Sequence, residues 1–218
     1  MDKTIKLHYV YDPFRGWCYG LAPLLTVAAE TDGVEIVPDS GGMLAGDRAQ
    51  MMSADWRAFI RPHEERITAL SGQKFGEAYT GKAQFDYDIL LDSGPPTAAM
   101  IAAEKVGKTG LAMLKRLQIA YYVEGRPIAN RDEIIRAAAE IGLDSSKFEQ
   151  AFDHASENLD EHFYESQALL EKLRGQGYPT LAIEKGGVLR KLHLGHVFGK
   201  PDLFRELLRD EVAPEKAE

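Results

Sequence analysis

Cysteine is scarce in this sequence, because Cys18 is the only one. A single cysteine cannot form a disulfide within the chain, so disulfide cross-links are excluded as a source of stability. Thiol–disulfide exchange normally needs two cysteines, one to attack the substrate disulfide and one to resolve the mixed disulfide. The function of the chain therefore depends on what one cysteine can do where thiol–disulfide exchange uses two.

Long hydrophobic runs and a secretory signal are also missing. No apolar stretch approaches the roughly 20 residues that a membrane span needs. The first residues lack the basic flank, apolar core and small-residue cleavage site of a signal peptide. We expect a cytoplasmic protein with no membrane partner, although a mature chain that had lost its leader would look the same.

Positive charge is in deficit. The chain has 26 Lys and Arg against 34 Asp and Glu, a net charge of −8, and no basic cluster. Nucleic acids and anionic membranes attract basic surfaces, so we expect no nucleic-acid partner. The sequence also lacks a phosphate-binding loop, a dinucleotide fingerprint and a Ser-His-Asp arrangement. We therefore expect no cofactor.

Metal-ligand clusters are weakly represented. His193 and His196 form a His-x-x-His pair, but no cysteine accompanies them and spacing alone is a weak signal. We predict no metal site. The acids are interpreted as solvated helix faces, which applies to Glu64, Glu65, Asp86 and Asp88.

What is present begins with a strand–helix–strand pattern. The chain of 218 residues is 44% hydrophobic, enough for one large domain or a domain with an insertion. Residues 5–11 read as a strand that ends at Asp12-Pro13. Apolar residues at helical spacing predict a helix over 17–30, and 34–38 reads as a second strand, parallel to the first.

The middle of the chain is mostly helical. Asn130 followed by Asp132 and Glu133 is typical of a capped helix start, Gly142 of a helix end, and Asp144 or Ser145 starts the next helix. The predicted helical segments are 47–71, 95–105, 108–124, 130–142, 145–153 and 155–175.

Strand character returns near the C-terminus. Gly186-Gly187 predicts a hairpin turn between strands at 180–184 and 188–192, and Pro201 a helix start. The order β-α-β, helical block, β-β-α indicates an α/β protein with a thioredoxin fold and a large inserted helical domain. The predicted boundaries are a discontinuous thioredoxin-like domain at 1–46 plus 177–210, an insertion at 47–176, and a flexible tail at 211–218.

Several motifs together resemble one family. They are Tyr-Val-Tyr-Asp-Pro-Phe-Arg-Gly-Trp-Cys-Tyr-Gly at 9–20, Gly-Gly-Met-Leu-Ala-Gly at 41–46, Asp-Ser-Gly-Pro-Pro-Thr-Ala at 92–98, Gln-Ile-Ala-Tyr-Tyr-Val-Glu-Gly at 118–125 and Gly-Tyr-Pro-Thr at 177–180. They resemble the DsbA-like branch of the thioredoxin superfamily, a protein-disulfide isomerase-like group. Its relatives include kappa-class glutathione transferases and 2-hydroxychromene-2-carboxylate isomerases.

The resemblance implies a site. The family carries a Cys-x-x-Cys motif, and Arg15 stands at its first, nucleophilic position while Cys18 stands at the second. The family's proline before the last strands is cis, which falls on Pro179, and the residue before it offers backbone groups to glutathione or to an extended peptide. The candidate site residues are therefore Arg15 and Cys18 as catalytic positions, and Phe14, Trp17, Tyr178, Pro179 and Thr180 as ligand contacts.

Cys18 and Arg15 each allow two interpretations. Cys18 lies one turn into the helix, where burial raises the pKa of a thiol, so it is either a buried remnant or a slow thiol. Arg15 lies against the positive end of the helix dipole, which favours an anionic partner such as Asp12, an acid of the insertion or a ligand. The alternative is a solvated arginine. Trp17 is expected to be exposed.

Four functional hypotheses follow. The first is a DsbA-like protein that has lost dithiol chemistry but keeps its groove. The second is a glutathione-dependent transferase or isomerase, and the third is a non-catalytic protein that binds peptides or partners at the cis-proline edge. The fourth is an otherwise active enzyme in which Arg15 is an engineered or strain-specific change. Small thiols and extended peptides are the expected ligands, and a homodimer is a candidate assembly.

Overall fold

The computed structural model describes residues 5–213. Within them the strands are β1 Ile5–Tyr11, β2 Val34–Ser40, β3 Gln50–Met51, β4 Leu90–Leu91, β5 Thr180–Lys185 and β6 Val188–Lys191. The α-helices are α1 Gly16–Ala29, α2 Ala54–Ser71, α3 Glu77–Thr80, α4 Gly94–Gly107, α5 Gly110–Tyr122, α6 Arg131–Glu140, α7 Ser145–Glu157, α8 Leu159–Lys172 and α9 Pro201–Val212.

The main sheet joins the two ends of the chain. Its strand order is β2-β1-β5-β6. β1 pairs in parallel with β2, from Ile5 opposite Val34 to Tyr11 opposite Ser40, through the crossover helix α1. β5 pairs antiparallel with both β1 and β6. This arrangement confirms an α/β thioredoxin fold in which a helical block separates βαβ from ββα.

The core lies between the sheet and α1. Side chains alternate along a strand, and Leu7, Tyr9 and Tyr11 of β1 are all buried on the same face. α1 buries Leu21 and Leu24 completely, and each such leucine contributes roughly 1.5–3 kcal/mol by leaving water. This packing fixes the first turn of α1 against the end of β1, where the candidate site begins.

The helical block differs from the prediction at its start. Residues 50–51 form β3, which pairs antiparallel with β4, so the helix predicted over 47–71 begins only at Ala54. Its start is set by Ser53, whose hydroxyl accepts a hydrogen bond from Trp56 N at 3.1 Å. The cap at Asn130 is confirmed, because its side chain accepts from Asp132 N and Glu133 N, and Asp144 caps α7.

Helix α9 extends two residues into the predicted tail at 211–218. α9 continues to Val212, because Arg190 of β6 pairs with the Glu211 carboxylate and Lys185 Nζ donates to the Glu211 carbonyl at 2.7 Å. The remainder of the predicted tail, 214–218, lies outside the described residues. The division into a 1–46 plus 177–210 unit and an insertion at 47–176 stays a prediction.

A charged cluster on the other face of the sheet makes stability depend on pH. His8 of β1 lies between Asp39 of β2, 3.8 Å from its Nδ1, and Glu184 of β5, 2.8 Å from its Nε2. Asp39 first, and then Glu184, raise the pKa of His8 above its ordinary value of 6.5 although burial opposes them. Protonated His8 therefore stabilises the fold fully below pH 6.5, and this contribution is lost as the pH rises through the folded pKa.

We expect His8→Gln to lower the free energy of unfolding more at pH 5.5 than at pH 8.5. Urea denaturation of both proteins at the two pH values measures the difference. An equal loss at both values would show that the His8 charge does not stabilise the sheet.

Candidate functional site

Asp12 builds the loop that leads into α1. It is completely buried, and its carboxylate accepts from Phe14 N at 2.9 Å and from Met43 N at 2.6 Å. Burial raises the pKa of Asp12, and hydrogen bonds oppose that rise. The same carboxylate thus closes the turn before the helix and holds the loop after β2 beside it. Among the described residues Asp12 and Arg15 form no direct ion pair, although the nearby Arg15 charge also favours the ionised carboxylate and so lowers the pKa of Asp12.

Cys18 is buried among aromatic rings. Its exposed fraction is 0%, and the Tyr9 hydroxyl donates to its carbonyl oxygen at 3.5 Å. Burial raises the pKa of the Cys18 thiol to about 12, although the backbone N–H of Asp12 favours the thiolate. A thiol must ionise and reach its target to act as a nucleophile. Cys18 meets neither condition. The structure therefore favours the interpretation of Cys18 as a buried remnant over that of a slowly reacting thiol.

We expect Cys18 to resist thiol reagents in the folded protein. With a pKa near 12, the thiolate fraction at pH 8 lies on the order of 1,000-fold below that of an exposed cysteine. Ellman's reagent should therefore modify it on the order of 1,000-fold more slowly in buffer than in 8 M urea, the unfolding reference. Comparable rates would show that Cys18 is accessible.

Arg15 occupies the mouth of the helix. It is the N-cap residue of α1, with extended backbone angles and no side-chain cap, and the first turn contains no acid. The first N–H groups of a helix have no partner within the helix, so this end is electropositive. Arg15 Nε donates to the Tyr178 carbonyl oxygen at 3.3 Å. Among residues 5–213 no carboxylate forms an ion pair with it.

The loop before β5 forms the opposite side of the groove. The Tyr178-Pro179 peptide bond is cis, as the resemblance implies. The Tyr178 hydroxyl donates to the Gly41 carbonyl at 3.1 Å, and a Cβ on Gly41 would lie 2.1 Å from that hydroxyl. The Thr180 side chain is buried and donates to the Gly177 carbonyl at 2.8 Å. The Tyr178 carbonyl thus lies beside Arg15, whereas the Thr180 hydroxyl bonds within its own turn.

An aromatic pocket adjoins the helix mouth. Trp17 is half-buried rather than exposed, because its ring packs against Phe198 and its Nε1 lies 3.4 Å from His63 Nδ1. Phe14 is buried edge-on against Tyr121 and forms an inner wall. The pocket has a free internal volume of about 30 Å³, room for little more than a water molecule. The insertion supplies most of its walls, namely Trp56, Phe59, Ile60, His63, Glu64, Ile67, Tyr79, Tyr121 and Tyr122.

The interpretation of the four acids as solvated was wrong for Glu64. Glu65, Asp86 and Asp88 are exposed, but Glu64 is 8% exposed. Its carboxylate accepts from the Tyr79 hydroxyl at 2.7 Å and from the Gln84 amide at 3.0 Å. Burial raises the pKa of Glu64 and these bonds oppose the rise. The charge is buried because the segment after α2 folds back over it and supplies neutral donors.

The remaining candidates do not join the site. His193 and His196 are exposed next to β6. Within residues 5–213 no group of three or more His, Cys, Asp or Glu side chains is arranged to hold a metal ion. In the same range, none of the helices has the length and apolar character required to cross a membrane.

The comparisons with known proteins agree with this geometry. A family model described as the DSBA-like thioredoxin domain matches residues 7–208. The chain belongs to the DSBA-like thioredoxin domain family. The family includes disulfide oxidoreductases. In this chain the Cys-x-x-Cys motif is degenerate, because only its second cysteine, Cys18, is present.

Solved structures extend the comparison. DsbM, a cytosolic disulfide reductase from Pseudomonas aeruginosa, is 42% identical, with 95% of this chain and 98% of that chain covered and a TM-score of 0.88. DsbM has also been solved with GSH. A Nitrosomonas europaea structure assigned as a protein disulfide isomerase is 20% identical (95% and 97% covered, TM-score 0.75). A 2-hydroxychromene-2-carboxylate isomerase is 16% identical (94% and 97% covered, TM-score 0.59). The last two show the fold alone.

Proposed function

We propose that this chain is a cytoplasmic glutathione-binding member of the family that has no dithiol exchange activity of its own. One observation carries the proposal: the helix mouth holds the Arg15 guanidinium, and the only cysteine of the chain, Cys18, is buried. A cytoplasmic location is supported by the relative DsbM, a cytosolic reductase.

Loss of exchange follows from the chemistry that dithiol proteins need. The attacking sulfur must stand at the helix N-terminus, where N–H groups stabilise its thiolate. Arg15 holds that position and carries no sulfur. Cys18 has a pKa of about 12 and no exposed surface, so it does not attack a substrate disulfide, and without a thiol at position 15 no mixed disulfide forms for it to resolve.

Glutathione binding is supported by the positive charge at the start of α1 and by similarity to a relative solved with GSH. The uncapped start of α1 offers N–H donors to an anion, and Arg15 adds a cation with no carboxylate partner among residues 5–213. The Tyr178 carbonyl, next to the cis proline, accepts from Arg15, so this loop lies beside the helix mouth. DsbM, solved with GSH, is similar over nearly the whole chain. A small peptide with carboxylates and a thiol suits these donors.

A long peptide added as a strand is less well supported. β5 lies inside the sheet between β1 and β6, so it has no free edge for strand addition. Only the short Gly177–Pro179 stretch precedes it beside the groove, and the Tyr178 carbonyl already accepts from Arg15. These limits favour a ligand of about tripeptide size.

A second candidate function is a glutathione-dependent transferase or isomerase. The Arg15 cation favours it, because a positive charge beside a bound thiol lowers the pKa of that thiol. Bound glutathione would then present a thiolate where the family's own sulfur stands. Ultraviolet absorbance of the thiolate, measured against pH with and without protein, tests this function. An unchanged glutathione pKa would count against it.

The proposed function is tested by two assays on the intact protein. Insulin reduction with dithiothreitol should show no rate above the reagent alone, and calorimetric titration with reduced glutathione should show saturable heat. Robust insulin turnover would refute the loss of exchange. No heat at 10 mM glutathione would refute the binding.

A further inference from the structure

A second groove lies away from the helix mouth, between α1 and α5. Its volume is about 290 Å³. Residues at helical spacing on both helices form its walls, so one face of each helix contributes. The lining residues are Ala22, Leu25, Thr26, Ala29 and Glu30 of α1, and Leu111, Ala112, Leu114, Lys115 and Gln118 of α5.

Gln118 lines this apolar groove and carries a buried donor without a partner among the described residues. Its side chain is 2% exposed, and its amide nitrogen has no hydrogen-bond partner among the described residues. Leaving a buried polar group without a partner is unfavourable, and most buried side-chain polar groups in proteins are paired. A ligand atom that accepts a hydrogen bond from Gln118 would remove this penalty.

The rim of the groove carries an available positive charge. Glu30 is engaged by Arg205 at 3.7 Å. Lys115 is exposed, has no ion pair in the described part of the chain, and lies one turn from Gln118 on the same face of α5. A ligand group that accepts a hydrogen bond and is negatively charged would therefore complement Gln118 and Lys115 at this end of the groove.

We propose that the groove between α1 and α5 binds a small monocarboxylate with an apolar body, such as a medium-chain fatty acid. The alkyl chain packs against Leu25, Leu111 and Leu114. The carboxylate accepts from the Gln118 amide and pairs with Lys115. This site is separate from the Arg15 groove and does not depend on glutathione binding.

The test uses the full chain and decanoate below its micellar concentration, followed by calorimetry. Gln118→Met keeps the volume but removes the donor and should weaken decanoate binding about tenfold. Ala112→Trp fills the groove and should abolish binding. Ala168→Trp, an exposed alanine of α8, is the matched control and should bind as the wild type does. Glutathione titration and circular dichroism of each variant check that the fold is intact.

The outcomes separate the occupants. Two results together support the site. Both groove variants should bind decanoate more weakly than the wild type does, and the wild type should bind decanol more weakly than decanoate. Absence of binding to the wild type overturns it, as does equal binding by Ala112→Trp. If sedimentation shows a dimer that Ala112→Trp dissociates and decanoate leaves unchanged, the groove is an interface between copies and the proposal is wrong.

Discussion

Arg15→Cys is expected to create dithiol exchange activity in a protein that lacks it. The substitution places a thiol at the uncapped N-terminus of α1, where helix N–H groups lower its pKa, and Cys18 follows three positions later. Restoring a missing nucleophile should raise the rate of insulin reduction at least about 100-fold over the wild type. The measurement is the turbidity of reduced insulin at equal protein concentrations.

Two control variants isolate the role of sulfur. Arg15→Ser removes the guanidinium without adding a thiol and should stay at background. The double variant Arg15→Cys with Cys18→Ala keeps the attacking thiol but has no resolving partner, so it should accumulate mixed disulfide and turn over slowly. If Arg15→Cys gains nothing while remaining folded, the groove itself has diverged from disulfide chemistry, and the account of position 15 as the cause is wrong.

Arg15→Gln is expected to weaken glutathione binding by about 10- to 100-fold, because one charge-assisted hydrogen bond contributes roughly 1.5–3 kcal/mol. Glutamine keeps a donor that can reach toward Tyr178 but loses the positive charge. Calorimetric titration of both proteins at low ionic strength measures the ratio of dissociation constants. Added salt should bring the two dissociation constants closer together, because salt screens the attraction between the Arg15 charge and glutathione.

The matched control is Arg136→Gln, on an exposed face of α6 where the side chain is 62% exposed. It removes the same charge from the whole protein but leaves the groove unchanged, so its affinity should equal that of the wild type. Equal loss in both variants would assign the effect to net charge. No loss in Arg15→Gln would mean that glutathione, if bound, is held elsewhere.

Much of the fold could be predicted because local signals and the final packing agree. The buried alternation of β1 and the helical spacing of α1 mark the same residues in sequence and in structure, and the caps at Asn130 and Asp144 were readable from side-chain chemistry. The short β3–β4 pair could not be predicted, because two-residue strands so far apart in sequence, Gln50–Met51 and Leu90–Leu91, carry no periodic signal.

The site was only partly predictable for a related reason. The motif places Arg15 and Cys18, but burial of Trp17 against His63 depends on where α2 packs. Glu64 resembles any surface acid in sequence, and only Tyr79 and Gln84, folded back over α2, make it internal. Asp12 was noted as the end of a strand, whereas its buried carboxylate organises the groove. Long-range contacts of this kind leave no local pattern.

The central claim is that glutathione binds at the mouth of α1 while the chain itself performs no exchange. The most direct measurement is nuclear magnetic resonance of the ¹⁵N-labelled protein during titration with reduced glutathione. Saturable shifts should concentrate on the backbone amides of Gly16, Trp17 and Tyr178, with Cys18 remaining a reduced thiol at the end of the titration. Shifts confined to other surfaces, or a mixed disulfide at Cys18, would contradict the account.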